Sequence, residues 1–324
     1  MSDIIRAACA VPDTAVANPE KNTERIIDFM LKAKEKNPDI VVFPELCITG
    51  YTCADLFFQQ ALLSDALSCL KKIIFASKDT EFITAVGLPL TLNGSLYNCA
   101  AIISGGRLWG IVPKTYIPTY NEFYERRWFT AGNKLKISEI KPQELLISDI
   151  QSENIFVGTD IIFDTGFFKF SAEICEDLWS VIPPSRYYAL GGAEVIINLS
   201  ASNETISKRE YRKSLVVNQS ASCLCSYVYT SAGAGESTTD LIFSGAGIVC
   251  ENGSVTAENQ KKIDNEYILF ADIDLGKIRA DRLKIKTFSQ SREELTKEFR
   301  TVFVSVKEKE NDLEFLNVKK LPFV

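Results

Sequence analysis

Ile40-Val41-Val42-Phe43 is apolar at every position, with no polar residue to turn toward water. A strand of that kind is covered on both faces, which limits the chain to layered α/β arrangements. Glu194 to Leu199 reads as a second buried strand. Around them, helix and strand signals alternate. Pro19 to Lys36 carries a helical stripe at Ile26, Ile27, Met30 and Leu31 and stops at Asn37-Pro38. Asp55 to Ser77 and Thr205 to Ser222 are helical, and Ser185 to Leu190 is a short helix ended by Gly191-Gly192. Strands are expected at Ile4 to Ala10, Phe82 to Leu88, Ser226 to Ser231, Leu241 to Cys250 and Ile268 to Ile273. Tyr97 to Ile103 and Arg107 to Val112 form a hairpin about Ser104-Gly105-Gly106. A second pair, Ile155 to Phe163 and Phe167 to Cys175, turns at Asp164-Thr165-Gly166. Mixed hairpins and βα units imply two β-sheets packed together and flanked by helices. No linker divides residues 1–275, so they read as one domain. From 276 to 324 the chain is charged and partly helical, a trailing extension ending in Leu321-Pro322-Phe323-Val324.

The chain contains no histidine. Cys–His and Ser–His–Asp catalysis both need an imidazole to carry the proton, so neither is available. Zinc deaminases, zincins and facial-triad iron sites are excluded on the same ground. A cysteine enzyme without histidine needs a carboxylate as base and a lysine or arginine to hold charge. Cys175 lies in Ala172-Glu-Ile-Cys-Glu-Asp-Leu-Trp179, and Phe43-Pro44-Glu45 and Val112-Pro113-Lys114 supply the other two groups. Taken singly, each has a bland reading: a structural cysteine at a strand end, a helix N-terminal charge, a solvated lysine. Their joint occurrence, each just past an apolar strand, favours chemistry.

The bulk properties narrow the partners. A net charge of −6 argues against nucleic acid or an anionic membrane as the main partner. No run approaches ~18 consecutive apolar residues, and the N-terminus lacks a basic region followed by a long apolar stretch. The nine cysteines include no CxxC pair and mostly sit in apolar strings, which fits reduced thiols in a cytoplasmic protein.

Phe43-Pro44-Glu45, Pro113-Lys114 and Glu173-Ile174-Cys175-Glu176 resemble, in order and spacing, the Glu–Lys–Cys triad of the nitrilase, or carbon–nitrogen hydrolase, superfamily. The segments from Lys114 to Phe129, Cys175 to Ser185 and Asn198 to Ser202 are similar to the N-terminal glutaminase domain of bacterial glutamine-dependent NAD+ synthetases. The resemblance covers roughly residues 1–275 and implies an α-β-β-α sandwich. It implies Glu45 as base, Lys114 as charge partner, Cys175 as nucleophile and Glu122 as a second glutamate, with Glu125 its rival. It also carries over Tyr120, Glu176, Trp179, Ser202 and Arg209 as glutamine contacts. Phe243-Ser-Gly-Ala-Gly247 departs from the Gly-Gly-His-like stretch expected there. The chain has neither a phosphate-binding Gly-x-x-x-x-Gly-Lys-[Ser/Thr] loop nor Ser-Gly-Gly-x-Asp-Ser; Ser104-Gly105-Gly106-Arg107 lacks the Asp-Ser and sits in a hairpin turn. No cofactor is therefore expected in this chain: ATP, Mg and deamido-NAD+ would belong to a synthetase domain that follows Val324. L-glutamine, that domain and a second copy of the chain, in a homo-oligomer, are the expected partners. Two other readings stay open: a free-standing carbon–nitrogen hydrolase acting on another amide or nitrile, and a non-catalytic interaction module.

Overall fold

The computed structural model describes residues 3–259, 266–309 and 312–316. Two mixed sheets form the centre. One has eight strands in the spatial order Tyr267–Asp274, Ile4–Val11, Ile40–Val42, Ile83–Leu92, Ser95–Ser104, Arg107–Pro113, Ile155–Val157 and Glu139–Ile140. The other has seven, in the order Ser254–Glu258, Gly247–Glu251, Ser226–Ser231, Val195–Ser200, Lys169–Ile174, Ile161–Asp164 and Arg300–Phe303. Parallel pairs occupy the middle of each sheet: Ile40–Val42 lies between Ile4–Val11 and Ile83–Leu92, and Val195–Ser200 between Lys169–Ile174 and Ser226–Ser231.

Strand periodicity explains the layers. Ala7 and Cys9 face the space between the sheets, whereas Ala8 and Ala10 face the helices, and all four are fully buried. The inter-sheet core joins Ile40, Val42, Ala85 and Ile102 to Phe163, Phe170, Ala172, Ile197 and Val228. Each of the Ile, Val and Phe side chains contributes ~1.5–3 kcal/mol by leaving water. Helices Pro19–Lys34 and Gln60–Ala76 cover the eight-stranded sheet through Ile26, Phe29, Met30, Leu70 and Ile73. Helices Pro184–Leu190 and Lys208–Cys223 cover the seven-stranded one through Tyr188, Ala189 and Val216. The result is the α-β-β-α sandwich.

Three details differ from the sequence reading. Leu31 is exposed and Phe29 takes its place on the buried stripe of the first helix. The run from Ile155 to Phe163 breaks at Gly158, so that Ile155–Val157 joins one sheet and Ile161–Asp164 the other. The segment after Asp274 is not merely trailing. Leu275, Ile278, Val302 and Val304 enter the inter-sheet core, and Arg300–Phe303 pairs parallel to Ile161–Asp164. The terminal Leu321 to Val324 lies outside the described residues.

Candidate active site

Glu45, Lys114 and Cys175 each follow the C-terminal end of a strand, Ile40–Val42, Arg107–Pro113 and Lys169–Ile174 respectively. The carboxyl ends of strands in α/β sheets are where loops can converge on a ligand. The Glu45 loop is seated tightly against its neighbour. A Cβ on Gly87 would lie 2.2 Å from the Leu46 nitrogen and 2.7 Å from the Pro44 oxygen, so only glycine permits the approach. The Glu45 N–H donates across to the Ser200 carbonyl at 3.2 Å, tying it to the other sheet.

The Lys114 ammonium is fully buried between two carboxylates. It donates to Glu45 Oε1 and to Glu125 Oε1, both at 2.6 Å. Asn98 Nδ2 also donates to Glu45 Oε1 at 2.7 Å, and the Tyr51 hydroxyl donates to Glu125 Oε1 at 2.9 Å. Glu45 Oε2 is buried and has no hydrogen-bond partner among the described residues. A buried carboxylate oxygen left unpaired is costly, and it is the free site at which a proton can be received. Burial works against the Lys114 ammonium, but the charges of Glu125 and Glu45 outweigh it and hold its pKa well above the usual lysine value. Burial, with the neighbouring charge of Glu45, pushes Glu125 up to about 7 despite Lys114.

Cys175 sits on the turn from Lys169–Ile174 into the four-residue helix Glu176–Trp179, with φ 43° and ψ −98°. A non-glycine residue there is strained by ~1–3 kcal/mol and persists only if its surroundings enforce it. The Cys175 N–H donates to the Leu199 carbonyl, and the Leu178 N–H to the Cys175 carbonyl, each at 3.0 Å. Burial and the charge of Glu45 push the Cys175 thiol far above its ordinary pKa, with Lys114 pulling the other way. The resting group is therefore a neutral thiol, and its proton must leave as it attacks.

A cavity of about 320 Å³ opens over Cys175, at the small end of the ~300–1,000 Å³ usual for small-molecule sites. Tyr120, Glu176, Trp179 and Ser202 line it, as do Glu122, Asn203 and Lys208. Tyr120 donates its hydroxyl to Glu176 Oε2 at 2.9 Å. A larger cavity of about 540 Å³, lined by Lys169, Arg279 and Arg282, lies at the other end of the Lys169–Ile174 strand and contains no thiol. Among the described residues no cluster of carboxylates and thiols could hold a metal ion, and no helix is long and apolar enough to cross a membrane.

Two residues stand elsewhere than the sequence reading put them. Glu122 does not meet Lys114. The hairpin of Thr119–Tyr120 and Phe123–Tyr124 reverses at Asn121, φ 48°, and thrusts Glu122 into the cavity, where Asn203 Nδ2 donates to it. The chain then returns, the Glu125 N–H donating to the Pro118 carbonyl at 3.2 Å, and puts Glu125 against Lys114. Glu125 is thus the second glutamate of the cluster. Arg209 turns away from the cavity to Glu258 and the Asn259 carbonyl, both at 3.4 Å. One residue of α-helix rotates the side chain by ~100°, so its neighbour Lys208 faces inward. The Lys208 ammonium bonds Asn203 Oδ1 and lies over the rings of Trp179, at 5.0 Å, and Phe123, at 5.6 Å. Burial lowers its pKa. Sequence reasoning missed Lys208 and Asn203; the i to i+1 rotation at the start of the helix was the signal available.

Residues 6–283 match the carbon–nitrogen hydrolase family model. A glutamine-dependent NAD(+) synthetase of Mycobacterium tuberculosis is 36% identical over 327 residues, covering 99% of this chain and 47% of the relative. Its counterpart in Aquifex aeolicus is 31% identical over 269 residues, covering 83% and 42%. The chain thus spans about half the length of the relatives it matches. Among solved structures, a glutamine-dependent NAD(+) synthetase from Cytophaga hutchinsonii superposes with a TM-score of 0.73 at 27% identity, over 83% of this chain and 43% of that one. A carbon–nitrogen hydrolase from Helicobacter pylori, at 20% identity and a TM-score of 0.72, shares the fold over 90% of this chain and 97% of its own.

Proposed function

The chain belongs to the carbon–nitrogen hydrolase family, and on that footing we propose that it hydrolyses the side-chain amide of L-glutamine through a thioester on Cys175. The observation that carries the reading is a buried Glu45–Lys114 pair with an unpaired carboxylate oxygen, beside a thiol that opens into a small cavity lined by charges of both signs. Glutamine brings an ammonium and a carboxylate at one end and an amide at the other. Lys208 suits the carboxylate, Glu122 and Glu176 the ammonium, and the amide then reaches Cys175. A neutral aliphatic amide brings no charges to meet those of Lys208, Glu122 and Glu176, which line the cavity half-buried.

The geometry supports the following steps. Glu45 Oε2 takes the Cys175 proton as sulfur attacks the amide carbon. The negative charge that develops on the carbonyl oxygen is held by the Lys114 ammonium and by the Glu176 N–H, just past the nucleophile. Protonated Glu45 returns its proton to the leaving nitrogen, ammonia departs, and Glu45 then activates water against the thioester. Glu125 balances the Lys114 charge and keeps the ammonium aimed between the carboxylates. Because the matching relatives are glutamine-dependent NAD(+) synthetases about twice as long, the reading extends to a synthetase domain that takes the released ammonia and would hold ATP, Mg and deamido-NAD+. A cytoplasmic homo-oligomer is part of the same proposal.

Ammonia release measured from glutamine, asparagine, a small aliphatic amide and an aliphatic nitrile tests the reading. Glutamine should exceed each of the others by at least ~10²-fold in kcat/KM, the discrimination a site built around charged groups provides. Preference for the aliphatic amide or nitrile would replace glutamine with another substrate of the same family.

A further inference from the structure

Lys114 ends a strand of the eight-stranded sheet, and Cys175 ends a strand of the seven-stranded one. Apolar packing between sheets is non-directional, so it sets their relative position loosely compared with what a reaction requires. One buried side chain bridges that gap with directional bonds. Asp177 Oδ1 accepts the Tyr116 N–H at 2.8 Å and the Thr115 N–H at 3.1 Å, in the two residues after Lys114. Its Oδ2 accepts the Ile174 N–H at 3.0 Å, in the residue before Cys175. Asp177 is 1% exposed, and among the described residues its carboxylate oxygens are bonded by backbone N–H groups, not by a cation. Burial and the charge of Glu173 work to raise its carboxyl pKa, and the Ile174 and Tyr116 N–H groups oppose them by bonding the ionised form. A helix of only four residues holds it in place, and the Ser180 hydroxyl donates to its carbonyl at 2.8 Å.

We propose that Asp177 is a positioning residue: it clasps the backbone beside Lys114 to the backbone beside Cys175 and so fixes the ammonium relative to the nucleophile. The proposal rests on the reading of Cys175 and Lys114 given above. A carboxylate is needed because both oxygens must accept. In Asp177→Asn one oxygen still receives Thr115 and Tyr116, but the amide nitrogen faces the Ile174 N–H, donor against donor.

The test compares glutamine turnover, KM and the rate of Cys175 alkylation by iodoacetamide in the wild type and Asp177→Asn. With the clasp broken, kcat falls roughly 10–100-fold, as for a displacement of about 1 Å. Alkylation slows alongside it, and KM stays within about twofold because the cavity lining is untouched. Asp177→Glu keeps the charge but shifts both oxygens by one methylene, and it should not restore kcat; it also serves where the Asn variant does not unfold cooperatively. Wild-type kcat and alkylation in either folded variant would overturn the proposal. Cys175→Ala separates the two levels: if that variant is dead while Asp177→Asn is fully active, only the clasp fails. If Cys175→Ala remains active, the underlying assignment fails with it.

Discussion

Two buried glutamates, one on each sheet, are treated in opposite ways. Glu173 lies two residues before Cys175, yet both of its oxygens are fully engaged by neutral donors. The Tyr227 and Ser185 hydroxyls donate to Oε1, and the Ser185 N–H donates to Oε2 at 2.7 Å. Asn198 and Ser200 extend this network along the adjacent strand. Glu45 instead concentrates a lysine and an asparagine on one oxygen and leaves the other unpaired. The first arrangement stabilises a polar core; the second keeps an acceptor in reserve beside a cation. Burial alone does not distinguish a structural glutamate from a reactive one, whereas the distribution of donors over its two oxygens does.

The largest effect that would sharpen this contrast is Cys175→Ala, which should lower glutamine turnover by more than ~10³-fold while thermal unfolding stays cooperative. Lys114→Met comes next. It leaves Glu45 and Glu125 facing one another without a cation, so turnover should vanish and stability should fall by ~3–5 kcal/mol in urea titrations. Glu45→Gln keeps size and polarity but cannot take a proton, and should cost ~10²–10⁴-fold in turnover with little change in melting temperature. Glu173→Gln should do the reverse. It loses ~1–3 kcal/mol of stability through a mispaired donor and keeps turnover within about tenfold. If Glu173→Gln is as dead as Glu45→Gln, the contrast between the two glutamates collapses.

The smallest effect is a pH dependence. Glu125 is held up to about 7 in the folded chain, against an ordinary 4.5. The folded state therefore keeps a proton that the unfolded chain has lost between those values, and stability falls as pH rises through that window. Urea midpoints taken from pH 4.5 to 8 should decline less steeply in Glu125→Gln than in the wild type. Parallel curves would mean that Glu125 does not titrate there.

Much of this was legible in the sequence where periodicity and local turns decide the outcome. Ile40–Val42 and Val195–Ser200 are buried central strands, and the strands ending at Lys114 and Cys175 lie where the apolar runs put them. Less visible was what depends on a single backbone reversal. Asn121 in a left-handed conformation exchanges the places of Glu122 and Glu125, and the helix phase exchanges Arg209 for Lys208. The last strand was hidden for another reason. Arg300–Phe303 alternates buried Val302 with exposed Phe303 inside a charged segment, and its partner, Ile161–Asp164, lies far upstream. Asp177 was read only as part of the Cys175 segment, because its three donors come from two separate stretches of chain.

The central claim, a glutamyl thioester on Cys175 formed with Glu45 as base, is open to direct mass measurement. The chain is mixed with glutamine, quenched in acid within the first turnovers and digested for peptide mapping. A γ-glutamyl adduct should appear on the peptide carrying Cys175 and be absent from Cys175→Ala and Glu45→Gln. Ammonia released at the wild-type rate with no adduct on that peptide, or with the adduct on another cysteine, would contradict the account.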